Sequence, residues 1–100
     1  MYRFCRTAQY RSGRGADATK RATEIAAYLN AKYAPLVWQA YTEMFGQVWR
    51  LHWHVDHPDL ASYEKFMVKI STDEGYWTIS QKHSEDVVDG SVRDTLLRLL

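Results

Sequence analysis

The most reactive side chains in this sequence fall in one short run: His52, His54, Asp56 and His57. Alternate residues of a strand project from the same face, so His52 and His54 would stand side by side. Paired imidazoles suit zinc or another transition metal. With Glu43 or a partner-chain group as a third ligand they would satisfy the usual count for a catalytic site. Without a metal, a histidine titrating near neutrality serves as a general acid or base, the role assigned here to His52 or His54. Gln39, Tyr41 and Arg50 are the candidate binding residues beside them, with Arg50 and Tyr41 suited to orient an anionic or carbonyl group. The plainer alternative is that both histidines are ordinary polar residues of a half-buried sheet face, satisfied by Gln39, Tyr41 or water.

The stretch that must position them runs from Leu36 to Tyr63 and reads as a β-hairpin leading into a helix. Residues 36–45 and 47–55 form the two strands, with Phe45-Gly46 as the turn. A two-residue loop pairs Gln39 with His52, Tyr41 with Arg50 and Val37 with His54. It also segregates two faces. Leu36, Trp38, Ala40, Met44, Trp49, Leu51, Trp53 and Val55 make an apolar face, and Gln39, Tyr41, Glu43, Arg50, His52 and His54 a polar aromatic one.

The flanking segments supply what the hairpin packs against. Residues 2–11 alternate with period two and read as a first strand, in which Arg6 is the misfit on the apolar side. Such an arginine is either an anion-binding group or, more often, the partner of a carboxylate, for which Glu43 and Asp94 are the candidates. From Ala16 the period changes: Ala18, Ala22, Ile25, Ala26, Leu29 and Tyr33 line one face of a helix that Pro35 ends. Asp56 or Asp59 caps a second helix carrying Leu60, Tyr63, Phe66 or Met67, and Ile70. Residues 73–83 suggest a shorter helix despite Gly75. Asp89-Gly90 marks a turn, and residues 91–100 read as a last strand, although their propensities also allow a helix. The order β, α, β, β, α, (α), β points to an α+β ferredoxin-like sandwich: one domain, a four-stranded antiparallel sheet, helices on one face and the other face open.

Composition narrows the classes further. At 100 residues, 46% hydrophobic and 25% charged, the chain is an ordinary single globular domain. The formal charge of +1 conceals a basic stretch over residues 1–21 and an acidic one over residues 56–89, which can hold the two parts of the chain together or draw one molecule's basic end to another's acidic end. The arginines carry no matched aromatic platform, which argues against nucleic acid. The lone Cys5, and an N-terminal stretch broken by arginines, lead us to expect a cytoplasmic protein without a signal peptide. No run reaches the ~20 apolar residues of a membrane span.

Two resemblances bear on function. The string H-x-H-x-D-H resembles the zinc-binding signature of the metallo-β-lactamase superfamily, but that fold needs a much longer chain and further ligands, and Pro58-Asp59 stands where glycines are usual. The hairpin with its Trp-rich third strand, followed by WHVDHPDLASYEKF over Trp53 to Phe66, resembles the dimeric α+β barrel superfamily and, within it, NIPSNAP-like and antibiotic-biosynthesis-monooxygenase-like domains. That resemblance implies a homodimer whose sheets face one another and a cavity that binds a small organic molecule. It also implies that, if the chain is an enzyme, it is a cofactor-independent oxygenase or isomerase with a histidine acid/base. The sequence names no cofactor and leaves catalysis open. A non-catalytic interaction domain, with the polar sheet face as its dimer interface, is the competing reading.

Overall fold

A computed structural model describes residues 1–100, and its elements follow the expected order. They are β1 (Tyr2–Gln9), α1 (Gly15–Lys32), β2 (Trp38–Thr42), β3 (Arg50–His57), α2 (Leu60–Ser71), α3 (Glu74–Ser84) and β4 (Arg93–Arg98). The strands form one antiparallel sheet in the order β2-β3-β1-β4, the ferredoxin-like arrangement. β3 alternates cleanly. Leu51, Trp53, Val55 and His57 are buried against the helices, while Arg50, His52, His54 and Asp56 project from the open face.

Helix α1 buries Ala18, Ala22, Ile25, Ala26 and Leu29, the face that its period predicts. Its alanines let it lie close to the sheet, near enough for the Trp53 indole N–H to donate to the Ala22 carbonyl at 3.3 Å. Asp59, not Asp56, caps α2, accepting from the Ser62 amide at 2.8 Å. Asp56 is drawn instead into a bidentate pair with Arg3, at 2.8 and 3.0 Å. The expected third helix is present and is capped by Asp73, and the last segment is a strand.

The hairpin departs from expectation in register. Gln39 faces His54 and Tyr41 faces His52, a slip of two from the predicted pairs. An even slip preserves which face each side chain occupies, so the two sets of residues survive it. The cause is a longer connection over residues 43–49. The Glu43 carboxylate folds this loop back on itself, accepting from the Gln47 amide at 2.7 Å, from Arg50 and from His52. Met44 and Trp49 therefore leave the apolar face assigned to them and lie exposed in the loop, with Trp49 against Tyr10. Phe45, 92% exposed, is the tip.

The uneven charge along the chain is resolved within it. Arg3 meets Asp56, Arg11 meets Asp89, and Arg14 and Arg21 converge on Asp86, which has no exposed surface. Arg6 meets Asp94, one of the two carboxylates expected for it.

Gly75 is tolerated inside α3 because the helices leave no room for a side chain there. A Cβ at Gly75 would lie 2.3 Å from the Tyr28 hydroxyl, which donates to the buried Asp73 carboxylate at 2.6 Å. Gly75→Ala gains up to ~1 kcal/mol of helix propensity but displaces that bond, whose loss inside a protein costs about 1–3 kcal/mol besides the steric strain. The expected outcome is a net loss of about 1–3 kcal/mol in denaturant unfolding. A Tyr28→Phe background should recover part of the steric loss.

Candidate functional site

The open sheet face brings together all five residues that the sequence singles out. On β3, His52 and His54 sit with ring centroids 5.9 Å apart. His54 packs against the Tyr41 ring at 5.1 Å, and the Tyr41 hydroxyl donates to Gln39 Oε1 at 2.9 Å. Arg50 is held by Glu43, and His52 Nε2 lies 2.6 Å from a Glu43 oxygen. The Arg50 and His52 hydrogen bonds carry the Glu43 carboxyl down to about 2. His54 is depressed, first by burial and then by the neighbouring His52 and Arg3 charges.

The H-x-H-x-D-H string does not close into a ligand set. His57 faces the opposite side of the sheet, where its Nδ1 lies 3.0 Å from Ser62 Oγ, and Asp56 is taken by Arg3. No three side chains of histidine, cysteine, aspartate or glutamate come together closely enough to hold a metal ion.

The enclosed space lies on the other side of the sheet. Between β1–β3 and the helices α1–α3 is a cavity of about 320 Å³, at the small end of the ~300–1,000 Å³ usual for small-molecule sites. Its walls are largely apolar, with Phe4, Trp38, Trp53, Phe66 and Trp77 beside aliphatic residues, and none of Gln39, Tyr41, Arg50, His52 or His54 lines it. Three groups give it chemistry. Arg6 reaches it from β1, with Nε and Nη2 on Asp94 at 2.7 and 2.8 Å and Nη1 donating to the Tyr76 hydroxyl at 3.1 Å. Tyr76 comes from the first turn of α3. His83 comes from the last turn of the same helix, its ring edge-on to Trp53 at 5.3 Å.

His83 is the residue that sequence reasoning passed over. It is 6% exposed, and neither ring nitrogen has a hydrogen-bond partner. Burial holds it below the usual histidine range, so at neutral pH it is an uncharged base. The signal available in the sequence was spacing: Tyr76 and His83 are seven residues apart and share a helix face. Trp38, on the same wall, also buries its indole N–H without an acceptor.

The fold that holds this cavity is shared with known proteins. The chain matches the family described as "Family of unknown function (DUF6039)" over residues 4–97. It belongs to that family. No curated protein matches it. Among solved structures it is similar to an uncharacterized NIPSNAP domain protein from Burkholderia xenovorans (13% identity, 100% of this chain and 95% of that one, TM-score 0.81). It is also similar to a putative antibiotic biosynthesis monooxygenase from Deinococcus radiodurans (12% identity, 99% and 92%, TM-score 0.74). SnoaB, a cofactor-independent oxygenase from Streptomyces nogalater, has the same fold (10% identity, 98% and 91%, TM-score 0.69). At such identities the likeness is one of fold, and it agrees with the resemblance carried by the hairpin and the start of α2.

The buried histidines set a pH dependence. His54, His57 and His83 all have folded pKa values below the ordinary 6.5. Above 6.5 they are neutral in both states and the full stability is present. As pH falls through 6.5 the unfolded chain takes up protons first, so stability is lost until the lower folded values are reached. The urea midpoint should therefore be lower at about pH 5.5 than at about pH 7.5. His83→Gln should remove part of that slope. A flat profile in the unmodified protein would contradict the burial of neutral histidines.

Proposed function

We propose that the chain binds a small organic molecule in the cavity between sheet and helices, where His83 exchanges a proton with it. The observation that carries this reading is the buried, partnerless His83 in the wall of a largely apolar cavity. A buried polar group left unsatisfied costs about 1–3 kcal/mol, and one retained in a pocket is a mark of function. Arg6 and Tyr76 supply the polar contact that orients the bound molecule. The chemistry such a site supports is removal of a proton from a carbon or phenol acid. That is the first step of an isomerisation, or of an oxygenation such as the one SnoaB's description implies for that protein. The acid/base role expected of a cavity histidine thus passes from His52 or His54 to His83.

Three tryptophans line the cavity, so an occupant should quench tryptophan fluorescence. Native mass spectrometry of the protein as purified should show its mass. Ser80→Phe, placed in the cavity wall, should abolish binding with little change in fold, whereas His83→Gln should retain binding and lose turnover by about 10²–10⁴-fold, the usual range for a general base. Binding unaffected by Ser80→Phe would move the site elsewhere.

We assign the open sheet face a second role, as the interface of a homodimer. What favours it is the absence of any helix over a face that exposes Tyr41 and Leu97 beside the half-buried His52 and His54. We place the dimer in the cytoplasm, where the half-buried free thiol of Cys5 stays reduced. His52→Ala combined with His54→Ala should raise the dimer dissociation constant by at least about tenfold in sedimentation experiments, as loss of a packed interface pair does. An intact dimer with impaired turnover would instead return the acid/base role to these two histidines.

A further inference from the structure

We infer that the Arg6–Asp94 pair makes the cavity select uncharged ligands bearing a hydrogen-bond acceptor, and that Asp94 is the residue that sets this preference. The inference rests on the cavity reading above and refines what the cavity takes. Arg6 is the one cation on the cavity wall, and an arginine there would ordinarily recruit a carboxylate or phosphate. Here its charge is already matched. Asp94 grips Nε and Nη2 from the facing position of β4, and the Tyr76 hydroxyl takes a proton of Nη1. These contacts use three of the five N–H donors of a guanidinium, leaving two that can reach an acceptor without offering net positive charge.

Nothing else on the wall supplies that charge. His83 is neutral, and the other ionised wall residue, Asp89, is an acid at the exposed rim whose partner is Arg11, 3.4 Å away. An anionic ligand would have to leave water for a site of zero or negative local charge, which is costly. A carbonyl, ether or phenol oxygen finds donors there: the spare N–H groups of Arg6 and, on the same wall, the Trp38 indole N–H that no protein atom satisfies. The rings of Phe4, Trp38, Trp53, Phe66 and Trp77 on an otherwise aliphatic wall favour an aromatic, uncharged, acceptor-bearing molecule.

Two probes of nearly equal size separate charge from shape: acetylnaphthalene, a neutral aromatic ketone, and naphthoate, its carboxylate counterpart. Each is titrated against tryptophan fluorescence at neutral pH. The full-length chain should bind the ketone at least about tenfold more tightly than the carboxylate, since one unmatched charge near a protein surface is worth roughly a decade in affinity. Asp94→Asn keeps the side-chain shape and frees the Arg6 charge, and should tighten naphthoate by about tenfold while leaving the ketone within a factor of about three. Arg6→Gln added to Asp94→Asn should cancel that gain. Circular dichroism checks that both variants fold, and Ser80→Phe checks that the probes occupy the cavity.

Equal or tighter binding of naphthoate by the unmodified chain, or a probe ratio that Asp94→Asn does not move, would overturn the charge selection and leave the cavity as a ligand site. Failure of both probes to bind would overturn the cavity reading itself.

Discussion

The structure depends on the period-two alternation of β3, the strand between β2 and β1. Leu51, Trp53, Val55 and His57 go one way and Arg50, His52, His54 and Asp56 the other, and each set imposes its requirement on the rest of the chain. The first set must be covered. Helix α1 does so with a strip of alanines that permits close approach, while α2 and α3 bring the bulkier Phe66, Ile70, Tyr76 and Trp77. Close packing under α1 and large, rigid side chains under the other two leave a gap that no side chain fills, and that gap is the cavity. The second set must be satisfied without helices, and is, by Glu43, Arg3 and Tyr41.

That dependence explains which parts of the fold could be read from the sequence. Alternation fixes parity, so the assignment of Trp38, Leu51, Trp53 and Val55 to one face and of Gln39, Tyr41, His52 and His54 to the other was legible. It does not fix register, because every even slip gives the same faces. The two-residue turn failed for a reason outside the periodic signal: the Glu43 carboxylate organises the connection over residues 43–49 through contacts with Gln47, Arg50 and His52. Met44 and Trp49 looked like core residues because hydrophobicity does not say whether a residue lies in a strand or in the loop beyond it. Helix α3 was legible as an element, but Gly75 and the β-branched Thr78 and Ile79 blurred its apolar face and hid His83.

Charge was legible in sum and not in detail. A basic first fifth and an acidic later half suggested attraction, and the pairs Arg3–Asp56, Arg11–Asp89, Arg14–Asp86 and Arg21–Asp86 realise it within one chain. Most of these are exposed and contribute little each. Asp86 differs. It is wholly buried where β1 leads into α1, with Arg14 at 2.5 Å and Arg21 at 3.4 Å, and the Asp86 carbonyl accepts from the Arg11 amide at 2.8 Å. Removing either arginine would leave a buried carboxylate short of a partner, which costs more than a surface pair contributes.

The contrast between His52 and His83 is the reason the proposed proton chemistry is placed on His83. His52 looks more catalytic in sequence, with His54 beside it and a carboxylate in reach. Yet its Nε2 is engaged by a Glu43 oxygen that also holds Arg50, within a cluster that fastens a loop. Its Nδ1 has no hydrogen bond and stays free for proton exchange, but it does so on the open sheet face and not in the cavity. In the proposed reading His83 gives up nothing: its nitrogens have no protein partner, burial holds it below the ordinary histidine range, and the cavity it lines is large enough for a small molecule. In that reading, a molecule that hydrogen-bonds to His83 offsets part of the desolvation penalty of the buried imidazole, so that the proposed binding and proton exchange rest on the same unsatisfied group.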